Sequence, residues 1–211
     1  VMIVGRLPYI LFMGFFLLFA GFSATDPGLC APGPLAVIQS GTDKALEILH
    51  SSQSGQAPAL RARRGEILRI VDEYFNFHEM AKRALGRPWK DQSPQNQKEF
   101  VDLFKQLLFN SYVDKVEAYT GSNERVVYDA EKVEGEYALV KTRVLGYKNA
   151  DVQVDYRLRA EEGIWKVYDV VVEGISLVNN YREQFSSILA NESFDSLLKR
   201  MRGKLDEQSM A

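Results

Sequence analysis

The sequence predicts an α+β protein, with a curved antiparallel four-stranded sheet in the second half of the chain and helices covering one of its faces. Three observations carry this expectation. From Ala150 to Arg159 the chain alternates cleanly: Val152, Val154, Tyr156 and Leu158 fall on one side, and Asp151, Gln153, Asp155, Arg157 and Arg159 on the other. Such period-two alternation marks a strand with one dry face and one wet face. Earlier, Phe100, Leu103, Phe104, Leu107, Leu108, Tyr112, Val116 and Tyr119 trace one continuous apolar face at helical spacing over about five and a half turns. Finally, the run from Trp165 to Phe185 passes from β-branched and aromatic residues through Glu173-Gly174 into a helix that Ser176 can cap.

The remaining elements follow in order. Near the N-terminus, Arg6 precedes an apolar run from Tyr9 to Ala20, and Ala20, Gly21, Ser23 and Ala24 then supply small residues. This is the pattern of a signal peptide over residues 1–24, with cleavage between Ala20 and Ala31, followed by a Pro/Gly linker over 25–34 and a single domain over 35–208. The first predicted helix spans Leu35 to Leu49, interrupted by Gly41. Ser51 to Pro58 is polar and turn-rich, hence a loop. A second helix carries Ile67, Leu68, Ile70, Val71 and Tyr74. Asn76 with Glu79 makes a capping box for a short helix that ends at Gly86 before Pro88. Ser93-Pro94 then starts the long helix. Strands are expected over Arg125 to Val133, Glu136 to Leu145, Ala150 to Arg159 and Ile164 to Val172, forming a meander whose dry face the long helix and the C-terminal helix must cover. In the helix after Ser176, Leu177, Tyr181, Phe185 and Ile188 form an apolar stripe, and Ser193 caps a last amphipathic helix with Phe194, Leu197, Leu198, Met201 and Leu205.

Composition bounds the function. Of 211 residues, 46% are hydrophobic and 26% charged, the balance of one ordinary globular domain. The formal net charge is -2, which argues against nucleic acid as the main partner, because phosphate backbones draw on concentrated Lys and Arg. Cys30 is the single cysteine, so no intrachain disulfide can form.

Catalytic patterns are nearly absent. There is no phosphate-cradling G-x-x-x-x-G-K-[ST], no G-x-G-x-x-G, no H-E-x-x-H and no G-x-S-x-G. His50 and His78 are the two histidines, too few for a histidine-based metal site, and no cofactor is implied. Asp169 and Glu173 share an alternating strand face with Trp165, Val167 and Val171, which leaves a buried general base as one reading. In the other, both carboxylates lie near a sheet edge and pair with Lys or Arg. The basic cluster Lys82, Arg83, Arg87 and Lys90 reads either as a solvated helix face or as a docking surface.

Several runs carry a family resemblance. Ala84-Leu85-Gly86-Arg87-Pro88-Trp89, Ser93-Pro94 with Gln97 and Phe100, and Phe104 to Leu108 with Tyr112 are among them. The others are Trp165-Lys166-Val167-Tyr168-Asp169-Val170, Glu173-Gly174-Ile175-Ser176-Leu177-Val178 and Tyr181-Arg182 with Gln184-Phe185. From about Leu60 to Leu198 the chain resembles the MlaC family, also called the toluene-tolerance auxiliary proteins. The resemblance implies an NTF2-like sheet enclosing an apolar cavity, and a non-enzymatic periplasmic carrier. Such a carrier moves phospholipid between an outer-membrane lipoprotein complex and an inner-membrane ABC transporter, maintaining outer-membrane lipid asymmetry. Carried over, it implies lipid-contacting walls at Tyr112, Val152 and Ile175, with Phe104, Leu108, Val154 and Leu177 beside them. A diacyl lipid out of its bilayer would expose roughly 30 methylenes at about 0.8 kcal/mol each, so such walls must be nearly as apolar as the membrane. Two alternatives stand beside this: a hopanoid-type lipid as cargo, and an isomerase or dehydratase of cone-shaped fold using Asp169 or Glu173.

Overall fold

The computed structural model describes residues 31–51, 57–117, 125–147 and 150–210. The expected signal segment, Cys30, most of the expected linker, Tyr119, and the side chains of His50 and Val116 lie outside what it describes. The elements run α1 (Pro34–Ser51), α2 (Ala57–Tyr74), α3 (Phe77–Leu85), a 3-10 turn (Arg87–Asp91) and α4 (Pro94–Glu117). Then come β1 (Arg125–Glu134), β2 (Tyr137–Tyr147), β3 (Ala150–Glu161), β4 (Ile164–Val172), β5 (Ile175–Ser176), α5 (Leu177–Leu189) and α6 (Phe194–Met210). The α+β class is therefore the observed one. Gly41 does not interrupt α1; it lets the Tyr74 ring of α2 approach, and a Cβ there would lie 3.1 Å from that ring. Of the expected loop, Ala57 and Pro58 belong to α2.

The sheet is an open antiparallel meander in the order β1-β2-β3-β4-β5, one strand more than expected. The extra strand arises at Glu173-Gly174, where both residues have positive φ (+49° and +78°). Two successive left-handed residues make the tight turn of a hairpin, so Ile175 and Ser176 fold back onto Val172 and Val171. The same edge of β4 is closed further along by Phe75, which bridges to Val167, and the Asn76 amide donates to the Val167 carbonyl at 2.8 Å. At that point the chain leaves α2 and enters α3, with the Asn76 side chain capping the new helix through the Glu79 amide.

Two register shifts shape the faces. In β1 an extra residue at Asp129 bulges outward, where Arg143 grips its carboxylate with two hydrogen bonds of 2.7 Å. In β4 the pairing jumps from Leu158–Val167 to Arg157–Asp169, leaving Tyr168 as an inserted residue. One inserted residue reverses the parity of everything beyond it. Trp165 and Val167 therefore share the dry face with Val170 and Val172, while Asp169 and Val171 lie on the opposite face. This corrects the expectation that Asp169 lines the same face as Trp165 and Val167.

Coverage of the dry face differs from expectation too. The helix lying on it is α1, whose Val37 and Ile38 are buried against Ala138, Val140, Leu158, Val167 and Val170. The Leu35 amide of α1 donates to the Glu131 carboxylate of β1 at 2.7 Å, satisfying one of the donors that a helix start leaves open. Meanwhile α4 packs with α3 and α6, and its buried residues Phe100, Leu103, Phe104, Leu107 and Leu108 join Trp89, Val178, Phe185, Leu197, Leu198 and Met201 in a separate helical core. The long helix has a greasy face because it centres that core, where other helices satisfy it.

Candidate functional site

Directly paired residues of neighbouring strands project to the same face. The dry face can therefore be followed row by row along the strands. The row Ala138–Leu158–Val167 is sealed, with Leu158 and Val167 at 0% exposure. Next, Val140 and Val170 are buried on either side of Tyr156, which is half-buried. One step further, Thr142 is buried but its neighbours Val154 and Val172 are half-buried, and Ile175, paired with Val172, is 63% exposed. The last row, Val126–Val144–Val152, is half-buried throughout. Among the described residues, the dry face is thus closed at one end of the strands and only partly covered at the other, leaving a half-buried floor of valines, Tyr128, Tyr156 and Leu177.

The floor is chemically uniform. Its one buried polar side chain, Thr142, donates its hydroxyl to the Val154 carbonyl at 2.6 Å and so presents no open polar group. Burial pushes the Tyr156 phenol up to about 12 and raises that of Tyr128, which also reaches Thr42 of α1. Both phenols stay neutral at physiological pH. A neutral, hydrocarbon-rich surface binds by area and shape.

Of the seven candidate residues, Val152, Val154 and Leu177 meet on or beside this floor, and Ile175 forms its exposed rim. Phe104 and Leu108 lie elsewhere, inside the helical core. There Phe104 stacks on Phe100 and meets Tyr181 and Phe185 edge-on, at centroid distances of 6.1, 5.2 and 5.9 Å. Tyr112 packs at the border of that core, its phenol raised by burial. The floor residues that sequence reasoning passed over are Val126, Tyr128, Val144 and Val172. Register could have found the first three, since each sits on an alternating run; the β4 insertion hides Val172.

The two carboxylates considered for catalysis are held in structural roles. Asp169 is buried and accepts from Ser176 Oγ at 2.7 Å, the Val178 amide at 3.1 Å and Arg157 Nη1 at 3.0 Å. Held by three donors, this carboxylate ties β4 to β3 and to the start of α5. Glu173 sits in the β4–β5 turn, exposed, and accepts from the Gln153 amide. Among the described residues, no group of His, Cys, Asp and Glu is arranged to hold a metal ion, and no helix is long and apolar enough to cross a membrane. A separate recess of about 850 Å³ is lined by Phe75, Phe77, Val101 and Ile164 but also by four carboxylates and by Lys105, Lys166 and Arg159. Its charged walls suit an acyl chain poorly.

The fold and this floor define a class: an open antiparallel sheet packed by helices, with one end of its apolar face only partly covered. Comparison with known proteins makes the class specific. The family model described as MlaC protein matches residues 39–203, and the chain belongs to the MlaC family. It is 24% identical over 185 residues to the intermembrane phospholipid transport system binding protein MlaC of Haemophilus influenzae, covering 85% of this chain and 86% of that one. It is 26% identical over 188 residues to toluene tolerance protein ttg2D of Pseudomonas putida, covering 88% and 86%. A phospholipid-binding protein from Ralstonia solanacearum, solved in complex with a phospholipid, superposes with a TM-score of 0.71 at 23% identity, over 82% of this chain and 97% of that one, and so shares the fold.

Proposed function

We propose that this protein is a periplasmic phospholipid carrier, taking acyl chains onto the open end of its dry sheet face and exchanging them between an outer-membrane lipoprotein complex and an inner-membrane ABC transporter. The observation that carries the reading is the half-buried floor, in a family whose named relatives transport or bind phospholipid. Valine and tyrosine side chains left half-exposed in a continuous row are costly in water, at roughly 25 cal/mol per Å² of apolar surface. A bound acyl chain removes that cost and its own together. Val152, Val154 and Leu177 form the floor in this reading, Ile175 guides entry, and Tyr112 acts from the helical side. With the carboxylate of Asp169 held by three donors in a structural tie, the chemistry favours binding over catalysis.

The test is native mass spectrometry of the mature protein purified from periplasm without detergent, followed by extraction and identification of what is bound. A stoichiometric diacyl phospholipid is expected. A hopanoid in its place would keep the carrier and change the cargo, and an empty protein that also fails to take lipid from vesicles would overturn the reading.

A further inference from the structure

On the opposite face of the sheet lies a second recess, about 170 Å³, lined by Arg83, Arg157, Arg182, Tyr168, Asp169, Val178 and Asn179. Three guanidinium groups converge there on a chain of net charge -2. Two are anchored by carboxylates, one of which, Asp169, itself lines the recess. Arg83 donates to the buried Glu79 at 2.7 Å and stacks over the Tyr168 ring at 4.2 Å, and Arg157 donates to Asp169 at 3.0 Å. Arg182 is exposed and has no carboxylate partner among the described residues. It lies against Gly86, whose positive φ of +71° requires glycine; a Cβ there would stand 3.3 Å from the Arg182 Nε.

We propose that this recess is a binding site for a phosphate oxyanion. Guanidinium forks match phosphate oxygens, and a phosphate group offers enough acceptors for three arginines at once, whereas a carboxylate has two oxygens. Pre-anchoring of Arg83 and Arg157 reduces the entropy lost on binding. The start of α5 adds little, since its Val178 and Asn179 amides already donate to Asp169 and Ser176. The ligand is distinct from any molecule on the apolar floor, because Arg157 and Asp169 project from the other side of the sheet. It is either free phosphate or the phosphate of a lipid headgroup presented at a bilayer surface. The site does not depend on the carrier reading.

The experiment is an NMR titration of the mature protein with inorganic phosphate, following arginine Nε–H and Asn179 side-chain signals, in parallel with sedimentation against phosphatidylcholine vesicles with and without phosphatidylglycerol. Saturable shifts confined to Arg83, Arg157, Arg182 and Asn179 are expected. R182Q, which removes an exposed side chain and should leave the melting temperature unchanged, should weaken binding roughly tenfold, and R182K should recover part of the loss because it keeps the charge without the fork. Binding of free phosphate alone, or of phosphatidylglycerol vesicles as well with the same R182Q sensitivity, upholds the site and identifies its source. Non-saturable shifts, shifts elsewhere, an R182Q protein that binds phosphate as tightly as the parent, or binding of a glutamate-rich peptide without phosphate binding would overturn it.

Discussion

Two apolar regions of this protein are built from similar residues and end in opposite states. The helical core around Phe100 and Phe104 is surrounded by α3, α4, α5 and α6, and both rings are fully buried. On the dry sheet face, α1 seals one end, and at the other Val126, Val144, Val152, Val154 and Val172 remain only half-buried. Hydrophobicity alone does not separate scaffold from site. What separates them is whether a second layer reaches the surface.

The contrast can be broken most severely at Phe104. Phe104→Ala should cost about 3–5 kcal/mol in urea unfolding, because the surrounding rings cannot close the cavity, yet lipid bound per folded molecule should be unchanged. Loss of lipid at full stability would instead place Phe104 in the site. Val152→Asp should do the reverse: a folded protein, destabilised by about 1 kcal/mol, that carries no lipid through purification, because an ionised carboxylate on the floor opposes hydrocarbon. Normal lipid content in that variant would remove Val152 from the site.

Tyr156 sharpens the comparison through pH. Its phenol ionises near the ordinary value of 10 in the unfolded chain and at about 12 in the folded one. The unfolded state therefore loses its proton first. Stability owed to this group is intact below pH 10 and falls as pH rises from 10 to 12, by roughly 2 kcal/mol in total. Tyr156→Phe should flatten that decline, read as urea midpoints at the two ends of the window; an equally steep decline would mean that other groups cause it. The smallest effect belongs to the rim, where Ile175→Ser should change stability by less than about 0.5 kcal/mol while slowing lipid uptake from vesicles.

Much of the fold was legible because its signals are periodic. The alternation over β3 and the caps at Asn76, Ser93 and Ser176 each follow from local chemistry, and each element stands where that chemistry puts it. What could not be read was which surfaces meet. An amphipathic helix declares that it must be covered but not by what, so the long greasy face of α4 was assigned to the sheet although other helices satisfy it. The inserted Tyr168 was invisible for a different reason: a single extra residue leaves no compositional trace, yet it turns Asp169 from a candidate base into a tie between β4 and α5. Val152, Val154 and Leu177, which the family resemblance implies as site residues, lie on or beside the floor, where strand parity and the strand-to-helix junction put them. Phe104 and Leu108, implied on the same basis, lie enclosed in the helical core, and apolarity in a sequence does not report enclosure.

The bulge at Asp129 has a consequence for life at high concentration. Phe75 and β5 close one margin of the sheet, so β1 is the margin left open, and most of its residues are exposed. An unprotected ribbon of that length invites a second molecule to extend the sheet, and chain after chain could follow. Here the outward kink at Asp129 interrupts the ladder, and Glu131, Lys132 and Glu134 place charge along the rest of the margin, with Lys132 and Glu134 paired at 2.7 Å. An incoming strand would have to bury those charges and straighten that kink. The open sheet margin is thus blunted as a place where self-association would start.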